Sequence, residues 1–309
     1  VEVAHPPSLY SHREQAQIGG FFICLSFIRG SRVRYLKPPL SFSDQAQRLV
    51  QQGLVVSDLN QLIERLSTVS YYRLSAYWHP FKQADDRFLP GTTFETVWRR
   101  YTFDRHLRLV TMDAVERIEV AVLRTRLVEQ FTLLHGPFGY RDLRNFHPNA
   151  RPDTHNRLLQ ECDEAFRRSN EIFVQHFRTK YTSEPYPPLW MMAEVMTYGQ
   201  LFTMYRQLRN QEQKAIARSI GLQAPVLESW LHTLNYIRNA VAHHARLWNR
   251  QIPVRPMMPD RRHRPEFYTP LPIANDRMFG VLSLLRYMLS QVAPQSQWPQ
   301  RLISLLDDY

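Results

Sequence analysis

Cysteine is almost missing from this chain: 309 residues contain two, Cys24 and Cys162. That excludes a disulfide framework and leaves no cysteine-based zinc spacing, so a reducing, cytoplasmic setting is the expectation. Long apolar runs are missing as well. The longest near the amino end, Phe21 to Ile28, falls far short of the roughly 20 residues a membrane helix needs. The segment before it holds Glu2, His5 and Glu14 instead of a short basic start, and no small-residue cleavage site follows before "RGSRVRYLK". Neither a membrane partner nor a secretory leader is expected. Low-complexity tracts and repeats at a fixed period are absent, which excludes a disordered chain and a solenoid. Acidic residues are outnumbered, 28 against 39 basic ones, for a net charge of +11.

What is present fits a globular protein: 44% hydrophobic and 12% aromatic residues, enough for a core without disulfides or metals. The basic residues are overwhelmingly arginine, whose planar fork grips phosphate in a way that lysine cannot. Nucleic acid is therefore the first partner to consider. The plain alternative is a basic soluble protein that binds none.

Glycine is scarce, 10 in all, and apolar residues recur three and four apart, which reads as an all-α protein. Residues 1–36 differ from the rest and read as a poorly ordered extension or a translated upstream region. In "PPLSFSDQAQRLVQQGLVV", Ser41 or Ser43 caps a short helix that Gly53 ends. "SDLNQLIERLSTVSYYRLSAYWHPF" repeats the pattern up to Pro80, and these two segments form an N-terminal helical region over 37–100. The longest signal runs from about Phe94 to Leu134, with Leu107, Val110, Ala114, Ile118 and Ala121 along one side. Further helices are expected over about 154–180, 189–209, 211–220 and 225–249, completing a bundle over 101–250. Residues 252–272 carry six prolines and cannot be helical. A final amphipathic helix over 274–291 and a short tail from Trp298 complete the last segment, 251–309.

"LNYIRNAVAHHARLWNR", residues 234–250, concentrates polar chemistry on an apolar frame. On an ideal helix Leu234, Ile237, Ala245 and Trp248 fall within about 40° of Val241 and pack inward. His244 lies about 60° from that line, at the border of the core. Asn239 and His243 point the other way, with Arg246 and Arg250 continuing the stripe. Imidazole exchanges protons near neutral pH, guanidinium opposes growing phosphate charge, and an amide orients either, so the stripe suits phosphate chemistry. Arg238 sits about 140° from His243 and must curl around to join it. From the angles alone, an ordinary solvated face is the better explanation of the stripe.

Arg238, Asn239 and, three residues on, His243 have the R-N-x-x-x-H form of the motif that marks the HEPN superfamily of helical ribonucleases and RNA-binding proteins. The longer string "IRNAVAHHARLWN" resembles the signature of the Abi-like family of bacterial abortive-infection proteins, the AbiD and AbiF type, within that superfamily. "KPPLSFSDQAQRLVQQGLVV", "STVSYYRLSAYWHPF", "FDRHLRLVTMDAVERIEVAVLRT" and "PPLWMMAEVMTYGQLFTMYRQL" resemble other family segments in the expected order, so the resemblance covers roughly residues 37–250. One departure is Val241, where the family often has cysteine.

The resemblance implies a HEPN-like helical bundle and an active site completed by a homodimer. It implies metal-independent RNA cleavage without a cofactor, leaving a 2′,3′-cyclic phosphate and a 5′-hydroxyl. His243 would be the general base or acid, Arg238 would stabilise the transition state, and Asn239 would position one of them, with His244 and Arg246 in support. The alternatives are a non-catalytic protein holding a structured small RNA and a protein interaction module with no RNA role.

Other groups are weaker candidates. Glu116 and Glu119 read first as helix ion-pair partners and second as groups that orient Arg238. Tyr71, Tyr72 and Arg73 could stack on unpaired bases or simply pack the bundle. Arg261, Arg262 and Arg264, in the proline-broken loop, are the candidates for phosphate-backbone contact, together with Arg250.

Overall fold

The computed structural model describes residues 38–309, so the expected extension over 1–36 lies outside the described residues. Among the described residues the regular elements are all helical; only isolated bridges occur, such as Val55 with Thr93. No described helix is long and apolar enough to cross a membrane. The chain divides into two compact units, Val1–Tyr101 and Thr102–Tyr309, so the proline-rich segment and the C-terminal helices belong to the second unit.

In the first unit, α1 (Phe42–Gln51) starts at Ser41, whose hydroxyl accepts the Asp44 N–H. Asp58 caps α2 (Leu59–Val69) through the N–H groups of Asn60 and Gln61. Ser70 stops α2 and caps α3 (Tyr71–Trp78). Ala46, Leu49, Leu62, Leu66, Leu74 and Trp78 are the buried stripe of these helices. Each leucine among them contributes roughly 1.5–3 kcal/mol by leaving water.

The long helical signal is one continuous rod with a defect. α4 (Phe94–Ile118) runs into a π-helical stretch, Glu119–Arg126, and continues as α5 (Leu127–His135). Two expected helices are broken in two. The span 154–180 is α6 (Pro152–Arg168) and α7 (Ile172–Lys180), the break falling where no proline or glycine marks it. The span 189–209 is α8 (Leu189–Val195) and α9 (Tyr198–Gln207), because Thr197 and Gln200 form a reciprocal capping box that restarts the helix. α10 (Asn210–Arg218) and α11 (Ala224–Ala242) follow, and α12 (Met278–Val292) and α13 (Trp298–Asp307) close the chain.

α11 is central to the second unit: Val226, Leu227, Trp230, Leu231, Leu234, Ile237 and Val241 are all buried. The proline-rich segment is held along it by backbone carbonyls. Trp230 Nε1 donates to the Met257 carbonyl at 2.7 Å, and the Thr233 hydroxyl donates to that of Val254 at 3.0 Å. Met257 is held from both sides, because its own N–H donates to the Ser229 hydroxyl of α11 at 2.7 Å. At the far end of the chain, Trp298, fully buried, donates to the Val110 carbonyl of α4 at 2.7 Å.

Candidate functional site

The motif helix ends earlier than its apolar periodicity suggests. α11 stops at Ala242, and His243 is its C-cap with φ −86° and ψ 13°. His243 N–H still reaches the Asn239 carbonyl at 3.0 Å, so it keeps the helical register four residues after Asn239. His244 then turns into the left-handed region, φ 55°. Its N–H bonds to the Val241 carbonyl at 2.9 Å, and the Ala245 N–H bonds to that of Ala240 at 2.8 Å. These two bonds are a Schellman cap, in which glycine normally occupies the left-handed position. A histidine there carries strain of about 1 kcal/mol.

This termination corrects the ideal-helix reading of residues 243–250. His244 is exposed rather than at the border of the core, and Ala245 and Trp248 are only half-buried. Leu247 is the residue that packs fully inward. Arg246 and Arg250 no longer extend a stripe from His243, because the chain has left the helix axis. Arg250 folds back instead: its Nε donates to the Tyr236 hydroxyl at 2.8 Å and its Nη1 to the Arg246 carbonyl at 3.1 Å. The Arg246 guanidinium lies 5.8 Å from the Trp248 ring.

A buried carboxylate explains why the chain turns where it does. Asp104, fully buried on α4, accepts the N–H groups of Leu247 at 2.9 Å and Trp248 at 2.6 Å, while its other oxygen takes the Arg108 guanidinium. It therefore fixes the strand of chain that leaves the motif. Asp104 lies in the quoted "FDRHLRLV" segment, but nothing in local pattern reveals an acceptor for amides 143 and 144 residues away.

Arg238, Asn239 and His243 share the last turns of α11 and face outward to different degrees: Arg238 is half-buried, Asn239 and His243 are exposed. Among the described residues none of the three side chains makes a hydrogen bond or ion pair. A guanidinium, an amide and an imidazole are thus held on a rigid helix end whose position is set from below by the core and from behind by Asp104. Such a set can bind a phosphate, exchange a proton with it and oppose its charge.

The secondary candidates separate. Glu119 pairs with Arg124 at 2.6 Å, and Arg124 also bonds the carbonyls of Ala193 and Met196, so this pair ties the π-helical stretch to α8. Glu119 does not reach Arg238, and Glu116 is exposed on the same rod. Tyr71 packs edge-on against Trp78, 4.9 Å between centroids, and burial raises its hydroxyl pKa. Tyr72 is 79% exposed, and Arg73 is half-buried beside it in the first unit. Arg261 and Arg262 are exposed, but Arg264 is committed: it donates to the carbonyls of Gly221 and His263 and lies 4.9 Å from the Tyr287 ring.

Sequence reading passed over Asn235, which lies one turn before Asn239. Its Oδ1 is buried without a hydrogen-bond partner. It faces the start of α9, where a Cβ on Gly199 would lie 3.9 Å from that oxygen.

Comparison with known proteins identifies a family. Searches of curated proteins and of solved structures find no match. The family model described as Abi-like protein matches residues 64–249. Its span begins later than the resemblance at residue 37 and ends just past the loop that Asp104 holds. With more than half of its length matched, a run that includes the whole of α11 and the turn at His243, the chain belongs to the Abi-like protein family.

Proposed function

We propose that this protein is a HEPN-type endoribonuclease of bacterial abortive infection, acting without a metal cofactor. The observation that carries the reading is the unengaged trio Arg238, Asn239 and His243 at the exposed end of α11, in a chain of net charge +11. In the reaction the RNA 2′-oxygen attacks the adjacent phosphorus and the bond to the 5′-oxygen breaks. The products are a 2′,3′-cyclic phosphate and a 5′-hydroxyl. One proton leaves the 2′-hydroxyl for a base, and one is given to the departing 5′-oxygen by an acid. A single motif offers one histidine, so a homodimer supplies both, one His243 from each copy. Arg238 opposes the charge that gathers on the phosphate, and Asn239 orients the phosphate or the ring.

The test is cleavage of RNA in the presence of EDTA, with the ends of the fragments identified. Cyclic phosphate ends with wild type and none with His243→Ala, at unchanged fold, are the expected result. Cleavage that continues undiminished in His243→Ala would remove the assignment.

The exposed Arg261 and Arg262 favour a second reading, a non-catalytic holder of a structured small RNA. Its mark is a mobility shift that weakens steeply with salt, survives His243→Ala and is lost when Arg261 and Arg262 are replaced.

A further inference from the structure

A groove of about 270 Å³ runs between α6 and α9, lined by Thr154, Arg157 and Glu161 on one side and Thr197, Gly199 and Gln200 on the other. It is more polar than a typical small-molecule pocket and too small for a drug-sized ligand. Arg157 is exposed and, among the described residues, makes no hydrogen bond or ion pair. Glu161, itself exposed, accepts from Gln200 Nε2 at 3.4 Å, leaving acceptor capacity along the groove. The first turn of α9 adds amide dipoles, and Gly199 within it presents no side chain.

The groove abuts the motif helix. α9 and α11 run antiparallel: the Tyr198 hydroxyl donates to the Leu231 carbonyl at 3.1 Å, Phe202 stacks on His232 at 5.6 Å, and Arg206 meets Glu228 at 3.2 Å. The start of α9 therefore lies beside Asn235, and Gly199 is the wall that the groove shares with that residue. Asn239 is four residues further along, a rise of about 6 Å. A chain of ribose–phosphate units leaving the groove over Gly199 would head toward the exposed end of α11 that carries Asn239.

We propose that this groove seats the ribose–phosphate unit adjoining the cleaved linkage of a single-stranded RNA, an inference that rests on RNA being the ligand of the motif. Arg157 meets the phosphate, and Glu161 with Gln200 takes the 2′-hydroxyl. Glycine at 199 is what lets the backbone of the ligand pass close to α9.

The experiment uses the full chain carrying His243→Ala, so that RNA is bound but not consumed, and a labelled unstructured ten-nucleotide RNA read by fluorescence anisotropy. Arg157→Glu and Gly199→Leu are added singly, with Arg167→Glu, on the same helix but outside the groove, as the control for net charge. The Cβ of Gly199→Leu would make only ordinary contacts of 3.9 and 4.0 Å, both with the Asn235 side chain, and an unchanged melting temperature checks that α9 and α11 stay packed in the variant. The expected result is about tenfold weaker binding for both groove variants and less than twofold change for the control. Arg157→Gln is expected to flatten the dependence of log affinity on log salt by about 0.7, one phosphate on a single strand. Affinity unchanged in both groove variants, or a loss in Arg167→Glu equal to that in Arg157→Glu, would overturn the groove while leaving the nuclease reading intact. Absence of RNA binding by the parent at low salt, together with no cleavage by wild type, overturns the RNA reading itself.

Discussion

Arginines stand at both ends of α11, and their circumstances are opposite. At the C-terminal end Arg238 is held on a helix packed into the core, yet its guanidinium has no partner among the described residues. At the N-terminal end Arg264 reaches back to the Gly221 carbonyl and lies over Tyr287, so that its charge and its plane are both in use. One arginine is positioned and unengaged; the other joins a loop to a helix. Charge alone does not separate a binding arginine from a structural one. The separation depends on whether the surrounding backbone already provides acceptors.

The largest effect expected from this contrast is chemical. On the proposed ribonuclease reading, His243→Ala removes the proton-transfer group, and RNA cleavage should fall by about 10²–10⁴. Arg238→Ala should cost about 10²–10³ in rate by the loss of transition-state charge stabilisation. Both variants should melt within a degree or two of wild type, since neither side chain holds the fold. Arg264→Ala should do the reverse: cleavage nearly unchanged, with stability lowered by about 1–2 kcal/mol in urea denaturation. If Arg264→Ala disabled cleavage while the fold stayed intact, the contrast between the two ends would disappear.

Asp104→Ala separates support from chemistry in a different way. It strands the buried N–H groups of Leu247 and Trp248 and the Arg108 guanidinium. Removing one member of a buried charged set costs about 3–5 kcal/mol. Asp104→Asn keeps one carbonyl oxygen for the two amides and should recover part of that loss. A melting temperature that did not move in either variant would show that the loop after the motif is held by something else.

How much of this could be read in the sequence depends on the range of the interactions concerned. Helix positions were legible because apolar spacing, caps and prolines are local; Ser41, Asp58, Gly53 and Pro80 all act within a turn of where they stand. The end of α11 was not, because the left-handed residue of its cap is His244 and not glycine, and because apolar spacing continues through Ala245 and Trp248 past the real terminus. The break before α9 was legible in principle from Thr197 and Gln200, three apart, but it lay inside a convincing apolar repeat. Asp104, and the engagement of Arg264 with Gly221, depend on residues distant in sequence and have no local signature. The trio Arg238, Asn239 and His243 was legible as a motif, while its unengaged state required the structure.

Two histidines extend the contrast to pH. His155, unlike exposed His243, is 2% exposed, and neither ring nitrogen has a hydrogen-bond partner. Burial lowers its pKa below the ordinary 6.5. The unfolded chain therefore binds a proton that the folded chain refuses. Stability from this group is complete above pH 6.5 and is lost as pH falls below it. Melting temperature should drop as pH falls below about 6.5 in wild type, and less steeply in His155→Gln, an amide that carries no proton to lose or gain. Equal slopes in the two proteins would assign the acid sensitivity to other groups.

The smallest effect is the most discriminating for the site. His244 occupies a left-handed position, φ 55°, that glycine adopts freely. If the residue served only the cap, His244→Gly would raise stability by about 0.5–1 kcal/mol and leave cleavage alone, because the Schellman bonds run through the backbone. A histidine at a strained position motivates a test of whether its ring is used. The expected outcome is thus a gain in stability together with a loss of cleavage about an order of magnitude smaller than that of His243→Ala. His244→Asn provides the control, since asparagine tolerates the same backbone conformation without an imidazole. Were His244→Gly more stable and as active as wild type, the ring would have no part in the reaction, and the site would narrow to the three residues on the helix itself.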